Sequence, residues 1–417
     1  MNCKQNLPRR LTISFPLWAI YKTPGKNSLY DDLDRLVFEH KELGFNCIRV
    51  DSGAGFIHDL HGKKRGASEI RTDVFGKYSR VMRQQGDIYG DGGSCDLLGN
   101  LTDLCKAAKK YGVYIILSSW YYLHSYWFHR EGDIVEKELF ELAPHKRFMA
   151  FAEFLDYILC ELERERLDGT IAFAEIFNEA DGLPFVNGYG GMNGLSDEEL
   201  SAFKAEHEAA IEHLRKRHPQ ILFAFDSYTP WADKRQIPSN MQVYNYHDYY
   251  LWDIYDKTFE KHPELFSGTV TEDDVRQSRK ELRPAADDWY ERVCLYNNLD
   301  TALSDKTDMY LEQELDGSFD LYLKKAEDNL KNVKKLLSDY PDIPVVCGEG
   351  VSYVGSKYIL WEEKSEKYWE LVERVMDMKK KAGIWGTVVR TCCGPEDPCW
   401  NMCKEKLKYL NEKFLRD

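Results

Sequence analysis

No stretch of about 18 apolar residues runs without a charge in the 417-residue sequence, so no membrane-spanning helix is encoded. The opening MNCKQNLPRRLTISFPLWAIY lacks the ~7–15-residue apolar core of a secretory leader, and a cytoplasmic location is expected. Positive charge is in short supply: 56 Lys and Arg stand against 70 Asp and Glu, a net charge of −14. Non-specific nucleic-acid binding needs clustered cations, so that class is excluded and no nucleic-acid partner is expected. Neither GxGxxG nor GxxxxGK[ST] occurs, which argues against an open doubly wound sheet built around a phosphate-binding turn.

Among the eleven cysteines there is no CxxC pair, and the crowd Cys392, Cys393, Cys399 and Cys403 fits a zinc site poorly, because adjacent thiolates rarely reach one tetrahedral ion. The odd count leaves at least one thiol outside any disulfide scheme, and Cys47, Cys105, Cys160 and Cys347 sit inside apolar runs as small core residues do. Asp87–Gly93 is acidic and glycine-rich but lacks the closing glutamate of an EF-hand loop, and reads as a turn. No metal and no cofactor are expected.

What the sequence does hold is 43% hydrophobic and 30% charged residues, the balance of a chain that buries a large core. Ten Trp, 26 Tyr and 20 Phe exceed what a core alone requires and point to stacking surfaces in a ligand cleft. Short β-rich runs alternate with longer amphipathic ones, the pattern of parallel strands joined by crossover helices. The candidate strands are Leu11–Phe15, Cys47–Asp51, Tyr114–Ser118, Ile171–Ile176, Leu222–Asp226, Gln242–Tyr246, Pro344–Cys347 and Gly386–Arg390. The helical candidates lie at about Tyr30–Leu43, Leu97–Tyr111, Lys146–Arg166, Ser196–Arg217, Phe319–Tyr340, Ser365–Lys381 and Cys403–Leu415. Ser196 with Glu199 forms a capping-box pattern, and Gly44, Gly112 and Gly383 each stop a helix before a strand. Eight strand–helix units predict an α/β fold, a (β/α)₈ TIM barrel, as a single catalytic domain over residues 1–417. Helical insertions are expected after strand two, over Phe56–Gly93, and after strand six, at about 249–319, where a charged lid or cleft wall is expected.

In such a barrel the strand C-termini open on the face that carries the chemistry. Glu179 follows the fourth candidate strand and Glu349 the seventh, on opposing arcs of the ring. Two carboxyl groups about 5–5.5 Å apart are what retaining glycoside hydrolysis requires, one attacking the anomeric carbon and the other protonating the leaving oxygen. Arg49, in the second strand, and His247 and Tyr249, after the sixth, would face the same basin.

With these residues the chain resembles clan A of the glycoside hydrolases, near the cellulase-like families, over nearly its whole length. Phe177-Asn178-Glu179 matches the strand-four motif ending in Asn-Glu, and the resemblance implies Glu179 as general acid/base and Asn178 as a donor to the sugar 2-hydroxyl. VVCGEG matches the strand-seven nucleophile motif and implies Glu349 in that role. Arg49 matches the strand-two arginine that braces the nucleophile, and His247 with Tyr249 matches the strand-six His-x-Tyr. The sequence departs from the pattern at strand three, where Ser118-Ser119-Trp120 replaces a terminal histidine, and at strand eight, which continues Arg390-Thr391-Cys392 instead of supplying a tryptophan. Trp18, Trp120 and Trp400 are the candidate sugar platforms. The expectation is a retaining hydrolase of β-linked glycosides or short oligosaccharides with a carbohydrate substrate. The alternatives are a sugar-binding barrel that has lost catalysis and a divalent-metal enzyme on the same barrel.

Overall fold

The computed structural model describes residues 7–16, 19–21, 30–70, 93–119, 132–181, 195–266, 299–352, 358–391, 393–395 and 397–416. Eight parallel strands close into a barrel: β1 (Leu11–Ser14), β2 (Cys47–Asp51), β3 (Tyr114–Ser118), β4 (Ile171–Glu175), β5 (Phe223–Ser227), β6 (Val243–Asp248), β7 (Val345–Gly350) and β8 (Gly386–Val388). Each pairs with its neighbour in chain order, and β1 closes the ring on β8 in the register Leu11 to Gly386. The eight strands are those the sequence predicts, displaced by a few residues at their ends. The α/β barrel is therefore established.

Side chains alternate across a strand, so one stripe per strand enters the lumen. At the N-terminal end these inward positions are apolar, with Leu11, Ile13, Ile116, Phe173, Ala224, Val243, Val346 and Val388 forming a plug. Two residues further along several of these stripes the polar residues begin: Arg49 on β2, Glu175 on β4, Asp226 on β5, and Asn245 and His247 on β6, all buried. The barrel thus has an apolar floor and a charged layer above it.

The helices pack around the outside and their ends follow local chemistry. Helix α1 (Leu33–Glu42) is capped by the Asp32 side chain, and α2 (Leu97–Tyr111) by Asp96 at its start and left-handed Gly112 at its end. Further on are α3 (Gly132–Phe140), α4 (Arg147–Arg164) and α5 (Asp197–Arg217), the last with the complete Ser196–Glu199 capping box. Helix α6 (Asp253–Lys261) follows β6, and α7 (Ser304–Leu336) precedes β7. Helix α7 starts well before the expected Phe319 and runs through Gly317; a mid-helix glycine costs about 1 kcal/mol, which packing on α9 (Glu366–Lys381), after the short α8 (Trp361–Lys364), offsets. The segment after β2 contains a two-stranded antiparallel pair, Ser68–Ile70 with Gly93–Cys95. Most of that insertion and part of the one after β6, residues 71–92 and 267–298, lie outside the described residues, as does the acidic turn at 87–92. Among the described residues no helix is long and apolar enough to cross a membrane.

Candidate active site

Arg49 is fully buried in the charged layer and organises it. Its Nη1 donates to Glu349 Oε1 at 2.5 Å, and its Nη2 donates to Glu175 Oε2 at 2.7 Å, Asp226 Oδ2 at 2.6 Å and Asn178 Oδ1 at 2.6 Å. Asn245 Nδ2 adds bonds to Glu175 Oε1 at 2.7 Å and Asp226 Oδ2 at 3.3 Å. Burial alone would lower the Arg49 pKa, but the carboxylates of Glu175, Asp226 and Glu349 outweigh it and raise it. Burial pushes the Glu175 carboxyl up to about 7, with Arg49 pulling it down and the Asp226 charge adding to the rise. Glu175 and Asp226 escaped the sequence reading. Each is an acid inside an apolar strand run, but its aim into the lumen is set by register with neighbouring strands distant in sequence.

Glu349 stands at the rim of this layer. Besides Arg49 on Oε1, it accepts a 2.5 Å hydrogen bond on Oε2 from the Tyr249 hydroxyl. Its inward aim depends on a register shift in the β6–β7 ladder, where Tyr246 pairs with Cys347 but His247 with Glu349. The extra residue is Gly348. A Cβ there would lie inside van der Waals contact with the Asn245 amide, so the close approach requires glycine.

Glu179 sits just beyond β4, with its backbone in the left-handed region at φ +53°. The turn is held on both sides: Asn178 N–H donates to Ser119 O at 3.2 Å, and Ala180 N–H to Asp226 O at 3.1 Å. Val351, two residues after Glu349, is also left-handed at φ +77° and is tied to Asp248 O and Leu251 N–H. A β-branched residue in that region is strained. Such backbone outliers gather where surrounding structure fixes a functional side chain.

His247 lies between the two glutamates, its side chain fully buried. Nδ1 is 2.7 Å from Glu179 Oε1, while Nε2 is 3.1 Å from Asp226 Oδ1 and 3.4 Å from Glu349 Oε1. Burial would lower its pKa, but the charges of Asp226 and Glu349 raise it well above the usual imidazole value. One atom each of Glu179, His247 and Glu349 lie within 4.8 Å of one another. A metal held through Nδ1 by such a set would displace the hydrogen bond that His247 makes to Glu179. A second group, Asp156, Cys160 and His218, lies on α4 and just past α5, where His218 bridges Asp156 at 2.8 Å and Glu163 at 2.6 Å.

The structure therefore brings Arg49, Asn178, Glu179, His247, Tyr249 and Glu349 into one constellation at the C-terminal mouth of the barrel. Trp400 does not join them. It is buried, packed on His40 at 4.5 Å and stacked parallel to Phe45 at 6.3 Å, because α10 (Pro398–Met402) turns it back into the core; its ring faces are covered and it cannot serve as a sugar platform. Trp18 and Trp120 lie outside the described residues. Cys393, Cys399 and Cys403 are buried in the apolar core.

No protein-family model and no curated protein sequence matches the chain. Solved structures do. A candidate glycoside hydrolase of Parabacteroides distasonis is 18% identical and superposes with a TM-score of 0.68 over 99% of this chain and 94% of its own. A tri-modular GH5 (subfamily 4) endo-β-1,4-glucanase from Bacillus licheniformis, complexed with cellotetraose, is 12% identical with a TM-score of 0.51, over 99% of this chain and 60% of that one. The chain thus shares its (β/α)₈ fold with these glycoside hydrolases. In (β/α)₈ barrels functional groups gather at the strand C-termini, and Glu179 and Glu349 stand at that end of this one.

Proposed function

We propose that this protein hydrolyses β-linked glycosides with net retention of configuration, using Glu349 as nucleophile and Glu179 as acid/base. The observation that carries the reading is the separation of the two glutamates, with one oxygen of each within 4.8 Å. A nearest approach this short accords with a retaining pair, whose carboxyl groups stand ~5–5.5 Å apart, more readily than with the ~6.5–9.5 Å of an inverting pair. The roles follow from the partners. Glu349, with a guanidinium on one oxygen and a phenol on the other, suits a group that must react as an anion. Glu179, facing an imidazole nitrogen, suits a group that gives and takes a proton.

A Glu349 oxygen attacks the anomeric carbon as the bond to the leaving oxygen breaks, and a proton from the Glu179 side neutralises that oxygen. Glu179 then removes a proton from the water that displaces Glu349. Arg49 occupies the Asn178 carbonyl oxygen, which leaves the amide nitrogen as the end that donates, as contact with a sugar 2-hydroxyl requires. Turnover of a panel of aryl β-glycosides by the wild type and by Glu179→Ala and Glu349→Ala tests the reading. Loss of at least ~10³-fold in the Glu349 variant is expected. Wild-type-like rates in both variants would refute it, and saccharide binding without turnover by the wild type would favour a non-catalytic barrel.

A further inference from the structure

Asp226 lies beside the glutamate pair, and its two oxygens are divided. Oδ2 accepts from Arg49 and Asn245, whereas Oδ1 faces His247 Nε2 at 3.1 Å. We propose that Asp226, acting through His247, holds in place the proton that Glu179 delivers to the leaving oxygen. The proposal rests on Glu179 being the acid/base and adds a positioning residue to it.

The proton count follows from the donors and acceptors. Nε2 lies 3.1 Å from Asp226 Oδ1 and 3.4 Å from Glu349 Oε1 without hydrogen-bond geometry to either, and the charge of these two carboxylates favours a hydrogen on it. The 2.7 Å contact between Nδ1 and Glu179 Oε1 then contains one proton, either on the ring, with Glu179 ionised, or on Glu179, with the ring neutral. Both forms hold the same number of protons and differ only in where the shared one sits. The groups facing this proton are Glu179 from the turn after β4, Asp226 from β5 and Glu349 from β7, with Arg49 from β2 and Glu175 from β4 one layer deeper; Tyr249 lies edge-on to the ring, centroids 6.2 Å apart, on the same segment as His247. Four carboxyl groups against one guanidinium favour keeping the proton.

In the first half-reaction the Glu349 oxygen bonds to the anomeric carbon, the glycosidic bond breaks toward oxygen, and the shared proton passes through Glu179 to that oxygen. The charge on Glu349 is then consumed, and Asp226 is the remaining carboxylate on Nε2. In the second, water attacks the anomeric carbon, the bond to Glu349 breaks and its carboxylate returns, and the water proton re-enters the Glu179–His247 hydrogen bond.

The test is Asp226→Asn, which keeps the shape and removes the charge, assayed on aryl β-glycosides whose phenols span a wide range of acidity. A dinitrophenolate leaves without a proton, whereas a weakly acidic phenol does not. The expected result is a loss on the poorest leaving group at least ~10-fold larger than on the dinitrophenyl glycoside, with the basic limb of kcat/KM moved down by about 1 pH unit. Equal losses across the series, with an unmoved limb, would show that Asp226 only braces Arg49 and Glu349 and would overturn the proposal. His247→Gln keeps the question open to refutation if the first variant fails to fold, because the same selectivity is required of it. Glu179→Ala separates the two levels. If it too shows no leaving-group selectivity the acid/base assignment fails, and if it does while Asp226→Asn and His247→Gln do not, only the present proposal fails.

Discussion

The hydroxyl of Tyr249 donates to Oε2 of Glu349 at 2.5 Å, on the oxygen that Arg49 leaves unoccupied. A hydrogen bond to a charged group contributes about 1.5–3 kcal/mol. Tyr249→Phe should therefore lower kcat about 10- to 100-fold, while the melting temperature stays within a few degrees of wild type. A variant with unchanged kcat would mean that the phenol does not act on the nucleophile.

Arg49 carries stability as well as chemistry. It is buried among Glu175, Asp226 and Glu349, so deleting its charge leaves several buried carboxylates uncompensated. Arg49→Met should cost about 3–5 kcal/mol in urea unfolding at pH 8. The loss should shrink toward pH 5, because Glu175, pushed up to about 7, is then protonated and no longer needs a partner. A loss that is constant with pH would contradict the charge argument.

Gly348 tests the backbone beneath Glu349, the proposed nucleophile. Asn245 is pinned by its bonds to Glu175 and Asp226 and cannot yield to a new Cβ. Gly348→Ala should cost about 1–3 kcal/mol and reduce turnover more than Tyr249→Phe does, because the whole β7 end must shift. Circular dichroism should remain that of the folded barrel.

The frame of this molecule was legible because its punctuation is local. Gly112 and the Ser196–Glu199 box define helix ends through their own backbone and side-chain bonds, and each barrel strand is a short apolar run between such signals. Glu179 and Glu349 were visible because they follow those runs. Glu175 and Asp226 were not, since whether a strand acid faces the lumen depends on register with strands distant in sequence. Trp400 misled for the opposite reason. Its position after strand eight suggested the mouth, but α10 returns the chain to the outer core, where the ring packs on His40 and Phe45.

A different pH effect is expected from His207, which is buried on α5 with its ring stacked on Phe148 at 4.4 Å. Burial lowers its pKa to about 3 from an ordinary 6.5. The unfolded chain therefore binds a proton there that the folded chain refuses, and stability contributed by this site falls as pH drops below 6.5. Between pH 7 and pH 5 the wild type should lose about 2 kcal/mol relative to His207→Phe, read as the difference between their urea unfolding free energies. Parallel pH curves would refute a neutral buried ring.

The central claim is that Glu349 attacks sugar and Glu179 handles the proton, and azide rescue with product stereochemistry tests it most directly. Azide should restore turnover of an activated aryl β-glycoside by Glu349→Ala and yield the inverted α-glycosyl azide, having entered from the face the nucleophile vacated. The same anion should rescue Glu179→Ala with retained β-configuration. Retained product from the Glu349 variant, or inverted product from the Glu179 variant, would contradict the account.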